Sequence, residues 1–193
     1  LGTIYDLARW FDASVLAKDW SVHEKVTTAY AIGDLDGKLM DFSYRGNVGV
    51  QFVHTNQSST GNFVDPGTCT GITAATCPFS VLSGGTSYSN VLPSLNVSFD
   101  LGGERALRIG AAKILSRANM DDMRASRDFG VPKQGDNPIL TGSSGNPNLK
   151  PFTAKSIDLS FEQYFGNKGY VSVAGFYKSL DTYIYRSPAN FDF

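Results

Sequence analysis

The sequence of 193 residues has little charge, few cysteines and histidines, and no long apolar run. Its 17 basic residues are balanced by 18 acidic ones, which argues against a nucleic-acid binder with a clustered basic excess. No stretch approaches the roughly 18 consecutive apolar residues of a transmembrane helix, although alternating membrane strands would escape such a scan. Charged residues make up only 18% of the chain, whereas it has 9 tyrosines, 13 phenylalanines and 20 glycines. This composition predicts many strands and turns.

The two cysteines and two histidines give limited chemistry. Cys69 and Cys77 lie in a segment rich in glycine and threonine, and we expect a disulfide there rather than two free thiols, in an oxidising compartment. His23 and His54 fall in different predicted strands, so no metal site and no cofactor is predicted. The first residues lack the charged and apolar regions of a signal peptide, so we expect a removed signal or an internal piece.

The beginning of the chain differs from the rest in its periodicity. Apolar residues recur at helical spacing from Ile4 to Phe11, and Val15 and Leu16 extend the same side. This pattern predicts a short amphipathic helix that ends near Lys18, within a loop at residues 1–21.

From Val22 onward the period changes to two, which predicts about six strands over residues 22–185. The clearest strand alternates Leu95, Val97, Phe99 and Leu101 with Ser94, Asn96, Ser98 and Asp100. In the first strand the apolar side consists of Val26, Thr28, Tyr30 and Ile32. These runs are longer than the usual five or six residues of globular strands and suit the 9–11 residues of a tilted membrane strand.

Short and long connections alternate between the predicted strands. We expect short turns at 34–42, 102–104 and 166–168, and long loops at 57–87 and 117–152. All long loops would therefore leave the same end of the sheet, which is typical of outer-membrane barrels with long extracellular loops. Tyrosine and phenylalanine near the strand ends suit an aromatic girdle, although aromatic residues at the edges of a β-sandwich remain the alternative.

Several segments, in this order, resemble TonB-dependent outer-membrane receptors. They are EKVTTAYA (24–31), GNVGV (46–50), LPSLN (92–96), GNPNLKP (145–151), IDLSFE (157–162), FYK (176–178) and DTYI (181–184). The similarity covers roughly residues 20–185 and is closest to the Xanthomonas/Caulobacter-type subfamily. The fold class we expect is therefore all-β: an antiparallel transmembrane β-barrel segment with short helices in the extracellular loops.

The resemblance implies a 22-stranded barrel in the outer membrane of a Gram-negative bacterium, surrounded by outer-membrane lipid. An N-terminal plug domain would fill it and contact the TonB complex, which supplies energy for import. The chain departs from that pattern because it has no plug domain and only about six strands, too few to close a barrel. We therefore expect residues 1–193 to be a partial receptor barrel from the C-terminal half.

Candidate ligand-binding residues lie in the second long loop and near the start of the chain. They are Arg117, Asn119, Asp121, Asp122, Arg124, Trp10 and Trp20. The charged and amide groups would hydrogen-bond a polar ligand over the barrel mouth, whereas the tryptophans would stack on sugar rings or lie at the membrane interface. The structural alternative for the loop is that Asn119 caps a helix of one or two turns, with the acidic residues at its positive end.

These observations predict a transport receptor that is not an enzyme. Its ligand would be a nutrient such as an oligosaccharide, or a siderophore-type compound. The alternative is a secreted or cell-surface β-sandwich that binds carbohydrate. A glycosidase would require two carboxylates about 5–10 Å apart, and the sequence places no such pair.

Overall fold

The computed structural model describes residues 13–64, 78–129, 142–166 and 168–188. Its long strands are β1 (Trp20–Leu39), β2 (Phe42–Val64), β3 (Phe79–Gly102), β4 (Arg105–Ser116), β7 (Phe152–Phe165) and β8 (Gly169–Leu180). The shorter elements are the helix α1 (Ala13–Leu16) and the strands β5 (Arg127–Phe129) and β6 (Gly142–Ser144). No helix in these ranges is long and apolar enough to cross a membrane.

The described strands form one sheet, in which the long strands follow the order β1-β2-β3-β4-β7-β8. The pairs β3–β4, β4–β7 and β7–β8 are antiparallel, whereas β2 and β5 pair in parallel at a single position. The all-β, mainly antiparallel prediction is therefore confirmed. The β-sandwich alternative needs two packed sheets, and the described part of the chain supplies one.

The register gives this sheet two different faces. Val97, Ile109 and Leu159 align across three strands, and we call the side that they share the apolar face. The next positions, Ser98, Arg108 and Ser160, align on the opposite side, the polar face. Large side chains of the apolar face remain open, with Val173 67% exposed. An apolar surface of this extent marks contact with a partner or a membrane.

The strand β1 places its apolar side on the polar face. A Cβ added to Gly49 would lie 3.2 Å from Ser94 Oγ and 3.8 Å from Ile32 Cγ1, so these side chains share one side of the sheet. Together with Tyr30 and Ile114 they line a concavity of about 580 Å³. The predicted period of two is correct for β1, but its apolar side faces away from Val97.

The first short connection is tighter than predicted, whereas the turn at 166–168 has the predicted bounds and the turn at 102–104 begins one residue later. Only Met40 and Asp41 join β1 to β2, because β1 continues to Leu39 and β2 begins at Phe42. Within the two strands, Asp36 forms an ion pair with Arg45 at 3.5 Å. The predicted turn at 34–42 is therefore too long. Met40 adopts a φ of 55°, and Gly103 a φ of 60° in the turn between β3 and β4, which is the left-handed backbone that such tight reversals require.

The two predicted long loops differ in accuracy. The loop at 57–87 is wrong at both ends, because β2 continues to Val64 and β3 begins at Phe79. The loop at 117–152 fits well, since β4 ends at Ser116 and β7 begins at Phe152. The last strand ends at Leu180, although the predicted strand region extends to residue 185, and the amides of Asp181 and Thr182 both donate to the carbonyl of Thr153.

The helix α1 covers four residues and is followed by a turn. In this turn the amides of Lys18 and Asp19 donate to the carbonyls of Val15 and Leu16, respectively. The rest of the predicted helix, at residues 1–12, lies outside the described residues, as do Trp10, Cys69 and Cys77.

The chain divides into two compact units. One unit comprises Leu1–Lys25, Asn56–Ser87 and Asn119–Leu149, and the other Val26–Thr55, Tyr88–Ala118 and Lys150–Phe193.

Candidate ligand-binding loop

The predicted site residues between β4 and β5 form one tight turn. A single 3₁₀ turn spans Asp121–Met123, and the amide of Asp122 donates to the carbonyl of Asn119 at 3.1 Å. The cap position belongs to Met120, without a side-chain cap hydrogen bond, so the predicted capping by Asn119 is wrong. The Asn119 amide instead donates to Asp122 Oδ2 at 3.3 Å.

Arg124 holds this turn together. One guanidinium nitrogen lies 2.6 Å from Asp121 Oδ1, and the other donates to Ser143 Oγ at 2.7 Å. The Arg124 side chain is only 17% exposed, whereas that of Asp121 is 54% exposed. Arg124 therefore positions the turn, and Asp121 is the more exposed member of the pair.

The segment Gly145–Leu149 packs closely against the turn. A Cβ on Gly145 would lie within 2.5 to 2.8 Å of backbone atoms of Arg124 and Asp122, so only glycine fits there without movement. The Asn146 amide donates to the Asp122 carbonyl at 2.8 Å. Asn146 Oδ1 in turn accepts from the amide of Asn148 at 3.0 Å. The motif that carries the resemblance is thus part of the same folded loop.

The end of β2 holds this loop in place through hydrogen bonds. Gln57, which is 3% exposed, donates through Nε2 to the carbonyls of Pro147 and Leu149, both at 2.8 Å. Ser59, also buried, accepts the amide of Ala125 at 2.9 Å. The side chain of Met123 is almost completely buried in the turn. Two distant parts of the loop are therefore fixed to one strand.

The predicted site residues are only partly brought together. Asn119, Asp121, Asp122 and Arg124 form the turn just described, and Trp20 begins β1, half-buried, in the same compact unit. Arg117 belongs to the other unit. The prediction missed Gln57 and Ser143 because each lies in a polar stretch without any apolar period that would indicate burial.

A second polar cluster lies on the polar face near the short turns. Two guanidinium nitrogens of Arg108 lie 3.1 Å from the two carboxylate oxygens of Glu162, and Tyr164 donates its hydroxyl to Glu162 at 2.6 Å. On the same face the Asn96 amide donates to Asn47 Oδ1 at 3.2 Å. These groups link neighbouring strands across the polar face through hydrogen bonds and an ion pair.

Comparison with known families decides the wider assignment. The family model for the β-barrel of TonB-dependent receptor-like proteins matches residues 6–193. The chain belongs to this receptor family. Neither a search of curated proteins nor a search of solved structures gave a match. TonB-dependent receptors are transport proteins of the Gram-negative outer membrane rather than enzymes, and family membership accounts for the two contrasting faces of the sheet.

Proposed function

We propose that this chain forms part of the barrel of an outer-membrane receptor that binds and imports a carbohydrate, or else a siderophore-type ligand. Energy would come from the TonB complex through a plug domain of the same receptor. Support comes from the family match and from the sheet, whose apolar face suits lipid and whose polar face suits a wet lumen. The subfamily we propose is the Xanthomonas/Caulobacter type.

We also propose that further strands complete the barrel. The order of the described strands leaves β8 with one neighbour, β7, and pairs β1 with β2 alone. Each end of the sheet thus presents unpaired backbone groups, which native proteins normally cover or pair. Strands of the same receptor would satisfy these edges, and we expect 22 strands in total.

The observation that carries the ligand site is the network of Arg124, Asp121 and Ser143. It fixes the half-exposed carboxylate of Asp121 in the same turn as the exposed residue Asn119, and the proposed barrel would present this loop on its extracellular side. Carboxylates and amides that are fixed in this way can hydrogen-bond sugar hydroxyls without a further ordering cost. Asp122 lies in the same turn and Trp20 in the same compact unit, and both belong to the proposed set of contacts, whereas Trp10 and Arg117 stay predictions from the sequence alone.

Binding by the whole receptor tests this site. Asp121→Asn keeps an oxygen for Arg124 but removes the charge that faces the ligand, and Asn119→Ala removes an exposed amide. Asp121→Asn should weaken oligosaccharide binding about tenfold or more, because a hydrogen bond to a charged group contributes about 1.5–3 kcal/mol. Asn119→Ala should weaken it about fivefold, because a hydrogen bond between neutral groups contributes about 1 kcal/mol. Calorimetry with an oligosaccharide series and a ferric siderophore series would show which class binds.

Asp36→Asn is the matched control, since Asp36 lies in β1 near a short turn and forms an exposed ion pair with Arg45. Unchanged binding by both loop variants would overturn the assignment of the site. The TonB step is tested separately, because uptake should stop in cells without TonB while binding remains. Continued uptake in those cells would contradict the proposed energy source.

A further inference from the structure

Two lysines face each other on the apolar face of the sheet. The register pairs Lys113 of β4 directly with Lys155 of β7, in line with the pairs Ala111–Ile157 and Ile109–Leu159. Like charges in directly opposed positions destabilise a sheet. This pair therefore suggests an anion that offsets the two charges.

The lysines interrupt the apolar face near one end of β4, where the pair Leu115–Thr153 follows on the same side. On β4 the residues Leu107, Ile109 and Ala111 precede Lys113, and the next polar pair in the other direction is Arg105–Gln163. Eight residues separate Arg105 from Lys113, about 26 Å along a strand and about 20 Å along the membrane normal at a tilt of about 40°, somewhat less than the roughly 25 Å apolar band of outer-membrane barrels. Lys113 and Lys155 lie on the side of the long connections, which would be the extracellular side.

One carboxylate lies close to this pair. Asp181 Oδ1 is 3.6 Å from Lys155 Nζ, and the Lys155 side chain remains 69% exposed. Two lysines and one aspartate leave a net positive charge beside the apolar surface. Lysine can lay its methylene chain on apolar neighbours while its ammonium group reaches the polar layer of a membrane.

We propose that Lys113 and Lys155 bind the phosphate of a phosphorylated lipid in the outer leaflet. The two ammonium groups would donate to phosphate oxygens, and the acyl chains would lie along Ile109, Ile157 and Leu159. Charge complementarity and the position at the edge of the apolar face both favour a lipid headgroup over a soluble anion. The proposal rests on the outer-membrane location but not on the identity of the nutrient.

The test uses the whole receptor in detergent, with lipid A carrying two phosphates, its dephosphorylated form, and inorganic phosphate as probes. The double variant Lys113→Gln/Lys155→Gln should bind phosphorylated lipid A about thirtyfold more weakly, as expected for two basic residues near an anionic surface. Dephosphorylated lipid A should bind the wild type and the double variant equally. Asp181→Asn should strengthen binding of the phosphorylated form.

Lys178→Gln is the matched control, because Lys178 of β8 lies on the polar face. It pairs with Ser156, which follows Lys155 in β7. Its lipid binding should equal that of the wild type. Equal binding of phosphorylated lipid A by wild type and double variant would overturn the proposal, as would competition by inorganic phosphate at the lipid concentration. Nutrient binding, measured on the same variants, keeps this outcome separate from failure of the proposed transport function.

Discussion

The side-chain amide of Gln57 donates to the backbone carbonyl of Pro147 at 2.8 Å, although the two residues lie 90 positions apart. Its second bond, to the carbonyl of Leu149, has the same length. One buried side chain on β2 thus satisfies two carbonyls of the segment that carries the family motif. This explains how a loop rich in glycine, asparagine and proline can hold a defined shape.

Gln57→Leu should loosen the loop without unfolding the sheet. The substitution leaves two carbonyls without their donor, and because Pro147 and Leu149 are only half-buried, each should cost about 1 kcal/mol, at the low end for an unsatisfied group. Hydrogen exchange should therefore become faster at residues 145–151 and stay unchanged in β4 and β7. Gln51→Leu, at an exposed position of the same strand, serves as the control and should leave exchange at both places unchanged. Equal effects of the two variants would mean that the Gln57 contacts do not hold the loop.

Gly145→Ala should destabilise the same loop by a steric route. The new Cβ would meet backbone atoms of Arg124 and Asp122 at 2.5 to 2.8 Å, and overpacking of this kind costs about 1–3 kcal/mol. Gly175→Ala adds the same methyl group where nothing lies within 4 Å, so it should be neutral. Limited proteolysis of the whole receptor would compare cleavage within the loop. A Gly145 variant as resistant as the wild type would contradict this packing.

Coupling between Asp121 and Arg124 can be measured with a double-mutant cycle. The pair is short, at 2.6 Å, but Asp121 is half-exposed, so the interaction should contribute about 0.5–1 kcal/mol. The variants are Asp121→Ala, Arg124→Met and both together, and the measured quantity is the local opening free energy from hydrogen exchange at residues 119–126. Strictly additive effects would show that the two side chains act independently.

The sequence predicts those parts of the fold in which apolar and polar residues alternate. Leu95, Val97 and Phe99 identify the apolar side of β3 correctly, and the register extends that side to β4 and β7. Alternation does not specify which side of the sheet the apolar residues of a strand face. In β1, Tyr30 and Ile32 lie on the polar face together with Ser94. The face of β1 depends on pairing with β2, which a period of two does not specify.

The site was less predictable than the fold. The residues from Asn56 to Thr60 are all polar, so their strand was expected to be a loop, although Gln57 and Ser59 are buried. Their burial comes from a covering loop far along the chain, which leaves no local signal. The sequence indicates the turn at Asp121 because its charged and amide residues are close together in the chain. The role of Arg124 is not predictable in this way, because its partner Ser143 lies 19 positions away.

The assignment of the two faces can be tested with adjacent residues of one strand. Val97 lies on the apolar face and Asn96 on the polar face, where it bonds to Asn47. In the whole receptor Val97→Arg should cost about 2–4 kcal/mol near the bilayer midplane, whereas Asn96→Arg in a wet lumen should cost much less. Unfolding in lipid vesicles measures both values, and Leu159→Arg with Ser160→Arg repeats the comparison on β7. Equal costs within each pair would show that the apolar face does not contact lipid, because a bilayer penalises an added charge on the side of the strand that faces the acyl chains and not on the side that faces a wet lumen.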